Sequence, residues 1–325
     1  MSGARGTGGD STRAIDSAIL GILAERWVFL EVEAAVAASV VETAGAVDVA
    51  TICRVARAVL AMDAEDFDEL PLPVDPGLAE LIRRSAVPES LDELAAMGPN
   101  PTLEPLFRLL LEVIAVRWER KEADKVVELL HLLTEFLPHL AWESVVGYPF
   151  DPRRLGKRLG GKSSYWGKLD APESCPHPVS VRRTAAATTR RSDRAIEPFF
   201  KHIAAVGRGL ALCASHVELR GPSGRPLAAC PQPCQAWQGL PRKAKRQLEA
   251  RTAVARLIAT SSVANLRNGS TAGHGFDVPE PQELLNAWAA SVRHVHAEIT
   301  RLDLVEDLVV PLPPVAPHAG GILVT

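Results

Sequence analysis

The stretch "PTLEPLFRLLLEVIAVRWERKEADKVVELLHLLTEFLPHLAWESVV", residues 101–146, decides the fold class. Its apolar residues recur at helical spacing, and nothing in it alternates at period two for long enough to demand a strand. It predicts one long helix, or two, bounded by Pro101 and Pro138. The same texture extends toward the N-terminus. Residues 13–44 place Ile15, Ile19, Ile22 and Leu23 on one helical face, and a second apolar helix is expected over 48–62. Short helices are expected near 77–86 and 89–97, after the acidic "DAEDFDELP" and the Pro-rich "PLPVDPG".

The texture changes at Gly147. Residues 151–194 hold 11 Lys and Arg against 4 acids, with Tyr165 and Trp166 among many glycines and prolines. Such a segment breaks regular structure and is the best domain boundary in the chain. A basic loop with aromatics can track phosphates and stack on bases; a solvated linker is the plainer reading. Charge divides at the same place. Residues 1–150 carry 12 Lys and Arg against 25 Asp and Glu, and residues 151–325 carry 24 against 14. The balances of −13 and +10 point to an acidic ligand for the second half, or to mutual attraction of the two halves.

Beyond the linker three helices are expected. The first runs from Arg194 to His216, with Ile196, Phe199, Phe200, Ile203 and Leu210 on one face. The second runs from Pro241 to Leu266, and the third opens at Pro281, a favoured first-turn position for proline. The third carries the cleanest stripe: Leu285, Trp288, Ala289, Val292, Val295, Ile299 and Leu302. Between the first two, "VELRGPSGRPLAACPQPCQAWQG" reads as a turn joining two short extended pieces. The fold expected is therefore all-α: a helical bundle of two parts joined by a basic Gly/Pro-rich linker, with a small turn-bearing insertion near 217–238. Its parts are an acidic helical unit at 1–150, the linker at 151–194, a basic helical unit at 195–305 and a Pro-rich tail at 306–325.

Composition narrows the class. An apolar fraction of 47% with 23% charged residues is that of a folded globular chain. No stretch reaches the roughly 18 to 20 charge-poor apolar residues of a membrane span, and "MSGARGTGGDSTR" reads as a loose tail rather than a signal peptide. Five cysteines in a chain of 325 residues fit a reduced, cytoplasmic setting better than a disulfide scaffold.

"VANLRNGSTAGHGFDVPEP", between the second and third expected helices, carries the chemistry. Asn268-Gly269 is a helix-ending pair, and Arg267 and His274 flank a glycine-bearing turn. A permanently cationic, forked guanidinium suits a phosphate, and an imidazole can give or take a proton near neutrality. Together they could cleave RNA without a metal, with His274 handling the proton of the 2′-hydroxyl or leaving oxygen and Arg267 stabilising phosphoryl charge. Asn268 could orient either group. The plainer reading is a helix cap with surface Arg267 and His274.

"LRNGSTAGHG" resembles the Arg-Asn-x-x-x-x-x-His signature of the HEPN superfamily, and within it the C-terminal domains of bacterial abortive-infection proteins. Arg267, Asn268, His274 and Gly275 carry the match, over roughly residues 195–305. The resemblance implies an all-helical, often dimeric domain and a metal-independent endoribonuclease of a toxin or phage-defence system, with no cofactor for catalysis. Some members are non-catalytic, so a helical interaction or regulatory module in a bacterial conflict complex is the alternative. RNA and a second copy of the chain are the expected partners, and the acidic residues 1–150 would dock a regulatory partner or regulate the effector. A single titratable group per Arg267/His274 pair also argues for a homodimer, with the third helix near its axis.

Cys213, His216, Cys230 and Cys234 form a second constellation, spaced C-x2-H and C-x3-C on either side of the insertion. Two such pairs could enclose a tetrahedral structural zinc; alternatively Cys213 is an ordinary core residue. Cys175 and His177 read better as loop. His131 and His139, with Glu128 and Glu135, have spacings that could place metal ligands on one helical face, whereas His294 and His296 point to different faces. No phosphate-binding glycine loop, dinucleotide fingerprint or nucleophile elbow is present.

Overall fold

A computed structural model describes residues 29–38, 44–71, 76–159, 203–227, 229–230, 233–269 and 278–308. They form the helices α1 (Phe29–Ala38), α2 (Ala44–Ala61), α3 (Pro76–Arg84), α4 (Leu91–Ala96), α5 (Glu104–Glu119) and α6 (Ala123–Val146). These are followed by α7 (Pro152–Leu159), α8 (Ile203–Cys213), α9 (Gln235–Gln238), α10 (Arg242–Ala259), α11 (Ser262–Gly269) and α12 (Pro281–Arg301). A 3-10 turn at Glu306–Leu308 ends the described chain. Among the described residues there is no sheet, only an isolated bridge between Arg220 and Pro226. The all-α expectation holds. No helix among them is long and apolar enough to cross a membrane.

The stretch 101–146 folds as two helices. They part at Lys121, whose φ of 60° turns the chain, while Glu122 accepts hydrogen bonds from Arg117 and from Arg120 Nε. Pro138 does not end the second helix, contrary to the expected bound. It lies inside α6, where a missing N–H and a ring clash cost about 3 kcal/mol. Beyond it α6 buries His139, Ala141, Trp142 and Val146. Each large apolar side chain so buried contributes roughly 1.5–3 kcal/mol, which offsets the proline.

A helix apolar on most of its circumference belongs at the centre. α6 packs on α5, α7, α8, α10 and α11. The main core accordingly joins Phe67, Ile82, Leu103, Leu110, Trp142 and Phe150 to Val206, Leu210, Trp237 and Leu248. A smaller cluster joins Val126, Val127 and Leu130 to Val263 and Leu284. The divide at residue 150 is one of charge, and packing crosses it. Within the expected linker, α7 is helical because Asp151 Oδ1 accepts the Arg154 N–H at 3.1 Å and Pro152 fills the first turn. Leu155 and Leu159 are buried. Residues 160–202 lie outside the described chain, and with them Tyr165, Trp166, Cys175, His177 and the expected start of the first C-terminal helix.

The insertion is a tight turn. Gly221 N–H reaches the Arg225 carbonyl at 3.0 Å, and Leu227 N–H the Leu219 carbonyl at 2.8 Å. Two buried carboxylates tie it down: Glu249 accepts the His216 N–H at 2.9 Å and Glu298 accepts the Arg220 N–H at 3.1 Å.

The single helix expected over 241–266 is two. Thr260 Oγ1 donates to the Arg256 carbonyl at 2.9 Å and Ser261 Oγ to the Ile258 carbonyl at 2.6 Å. Hydroxyls that bond back in this way compete with the helical ladder and end α10. α11 then starts afresh, its Val263 N–H received by Ser291 Oγ of α12 at 3.1 Å. α12 itself does not bury its whole expected stripe. Leu284, Ser291, Glu298 and Ile299 face inward, while Leu285, Trp288 and Val292 are 44%, 41% and 37% exposed.

Candidate functional site

Arg267 stands in the last turn of α11, the helix that the Thr260–Ser261 break redirects against α6 and α12. It lines a solvent-open cleft of about 530 Å³ where α6, α8, α10 and α11 meet. Arg208 of α8 and Arg256 of α10 line the same cleft, so guanidiniums from different helices converge on one space. Burial pushes Arg256 down to about 10, which leaves it cationic at neutral pH. A partly desolvated cation gains from an anion more than a solvated one does.

The opposite wall comes from the acidic half of the sequence. His131 Nε2 and Glu135 Oε1, one turn apart on α6, are paired at 2.9 Å, and both line the cleft. Burial works to raise the Glu135 carboxyl. The His131 hydrogen bond and the charges of His131, Arg267 and Arg208 outweigh it and hold Glu135 below the usual carboxylate range. Glu135 thus acts as the cleft's built-in counter-anion.

Small residues make this approach. A Cβ on Gly207 would lie 2.8 Å from the Glu135 carbonyl and 3.0 Å from His139 Nε2, so only glycine lets α8 press this close to α6. His139 is fully enclosed there. Its Nε2 donates to the Ile203 carbonyl at 2.8 Å, and burial drives its pKa from 6.5 to about 4. The metal face that the spacings on α6 would have allowed does not form: His131 faces the cleft, while His139 is locked beneath α8.

His274 and Gly275 lie outside the described residues, as does the side chain of Asn268. Of the Arg-Asn-His set, Arg267 alone has a described side chain. Sequence reading missed Arg208, Arg256, His131 and Glu135 as its neighbours, because the helix break and the α6 crossing that assemble them have no local signature.

The cysteine set lies elsewhere. Cys213, Cys230 and Cys234 are each 0% exposed, and neither they nor Cys53 are in disulfides. The Cys213 thiol is hydrogen-bonded with those of Cys230 and Cys234, which together with burial push its pKa well up. Beside them the His216 ring stacks on Trp237, with centroids 4.9 Å apart and planes 18° apart, and its Nε2 donates to the Cys213 carbonyl at 3.0 Å. Among the described residues, as they stand, no group of three or more His, Cys, Asp or Glu side chains is arranged to hold a metal ion.

Comparison with known proteins adds no relative: no protein-family model, no curated protein and no solved structure matches the chain.

Proposed function

We propose that the chain is a metal-independent endoribonuclease effector of the HEPN kind, acting in a toxin or phage-defence system, and that the Arg267 cleft receives the RNA phosphate. The observation that supports this is the convergence of Arg208, Arg256 and Arg267 on one open space. Forked cations around a cleft suit the equatorial oxygens of a phosphodiester under attack. In this reading the 2′-hydroxyl attacks phosphorus, a 2′,3′-cyclic phosphate forms and the 5′-oxygen leaves. His274 moves one of the two protons concerned, and Asn268 orients it or the phosphate.

The second proton has a candidate carrier in His131, across the same cleft and hydrogen-bonded to Glu135. With His131 in that role, one chain holds both an acid and a base. Without it, two copies of the His274 site are needed, and the exposed Leu285, Trp288 and Val292 face of α12 is the candidate seam of a homodimer.

The test uses purified full chain, single-stranded RNA and no added divalent cation. Arg267→Ala and His274→Ala each lower cleavage by roughly 10²- to 10⁴-fold with helical circular dichroism unchanged; undiminished cleavage by both variants overturns the reading. An active monomer of 34.9 kDa that loses cleavage on His131→Gln supports the one-chain mechanism. A dimer indifferent to that change supports the two-copy one. RNA binding without cleavage by the unaltered chain favours the non-catalytic interaction module.

A further inference from the structure

The four cysteines with described side chains are all buried, yet they are not equivalent. Cys53 sits alone among Val32, Phe29 and Val49, as an ordinary small core residue does. Cys213, Cys230 and Cys234 come from the end of α8, from the Pro-flanked loop and from the residue before α9, and they converge on one another. A thiol is a weak donor and a weak acceptor. Little is gained by gathering three of them from separate chain positions when dispersed thiols, like Cys53, fill core volume equally well.

Three sulfurs around one point are what a zinc ion takes, with an imidazole as a common fourth ligand. Tetrahedral coordination at about 2.3 Å sets sulfurs roughly 3.8 Å apart, a spacing comparable to that of hydrogen-bonded thiols. His216 is the neighbouring imidazole, with Nε2 3.0 Å from the Cys213 carbonyl, and the thiols and this ring must shift toward an ion to close a four-ligand set around it. It belongs to the turn that follows Cys213, and it stacks on Trp237 of α9, the helix that Cys234 caps. Its Nε2–H is held by the Cys213 carbonyl, so the neutral ring keeps its lone pair on Nδ1. An outer hydrogen bond from the second nitrogen is how ligand imidazoles are commonly oriented. The setting also has a use for a crosslink. Between α8 and α9 the described chain has only the tight turn as local structure, and an ion would tie both ends of that insertion together.

We propose that Cys213, Cys230 and Cys234, as thiolates, bind one structural zinc ion, with His216 Nδ1 as the fourth ligand. Binding releases three thiol protons to solvent and forms three Zn–S bonds and one Zn–N bond, with no change of oxidation state.

The test is metal analysis of the full chain, purified under reductant and without chelator, followed by removal of the metal and titration with cobalt(II). About one zinc per chain is expected. Cobalt should give a thiolate charge-transfer band with the intense visible bands of a tetrahedral site. Cys230→Ser should lower the charge-transfer intensity by about one third, one of three Co–S bonds. His216→Ala should keep that band and weaken cobalt affinity by roughly 10- to 100-fold, by analogy with lost metal-site partners. Two results overturn the proposal without relying on any variant to fold: zinc below about a tenth of an equivalent with no cobalt band in the reduced, unaltered chain, or a Cys230–Cys234 disulfide in the freshly isolated protein. Unchanged cobalt affinity in His216→Ala overturns the assignment of the fourth ligand.

Discussion

One side of α6 meets solvent at His131 and Glu135; two turns on from His131, the same helix meets α8 with no room for a methyl group. Both regions carry a histidine within one turn of Glu135, and the two histidines fare oppositely. His131 keeps a carboxylate partner in an open cleft. His139 is sealed under Ile203 and Gly207, with Nδ1 buried and without a hydrogen-bond partner. A helical spacing of eight puts two side chains on roughly one face, but the angle and closeness of the neighbouring helix decide which of them sees water.

The largest effect expected from this contrast is in acid. Above its ordinary value of 6.5, His139 is neutral in both folded and unfolded chains. As pH falls from there toward about 4, the unfolded chain takes up a proton that the folded chain refuses. Stability from this group is thus complete above 6.5 and drains away by about 3 kcal/mol across the window. Urea unfolding across that range should show the loss. His139→Gln, which can still donate to the Ile203 carbonyl but does not titrate, should flatten the slope by one proton. An identical slope in the variant would break the contrast.

Next in size is the crossing itself. Gly207→Ala places a methyl group 2.8 Å from a backbone oxygen that cannot swing aside. The helices must separate, at about 1–3 kcal/mol, and thermal unfolding should report it. A variant as stable as the parent would mean that α8 has slack at this point.

The smallest effect belongs to the open side. Glu135→Gln removes the cleft's internal anion and should tighten binding of a short single-stranded RNA by roughly threefold to tenfold at low salt, with the gain fading as salt rises. Weaker binding would show that the carboxylate is needed to set His131 rather than being a competitor for the arginines.

Much of the fold was legible in the residues. The periodicity of 101–146, the Gly-Pro-Ser-Gly turn and Pro281 at a helix start are local signals, and each produced the element expected. What misled was local too. Pro138 reads as a stop because its cost is written in the residue, whereas the burial of Trp142 and Val146 that outweighs it lies in other helices. Thr260-Ser261-Ser262 looks innocuous within an apolar run, yet its hydroxyls turn the chain. The stripe on α12 was read as one face, although Leu285 and Val292 lie on the outside and Leu284 and Ser291 on the inside, one residue of phase apart. For the site, Arg267 stood out because of its punctuated neighbourhood. Arg208 is the single charge of an apolar helix and Arg256 one of several cations on α10, and nothing short of the packing shows that they share a cavity.

The position of α6 bears on how such a protein could be cut and inherited. The cleft takes Arg208, Arg256 and Arg267 from the basic part of the chain and His131 and Glu135 from the acidic part. A gene fragment carrying only the basic part would carry three cations without the wall they face and without the helix against which α8, α10 and α11 pack. Recombination near the charge boundary would therefore not transfer this site as a module, and the two differently charged segments are bound to change together.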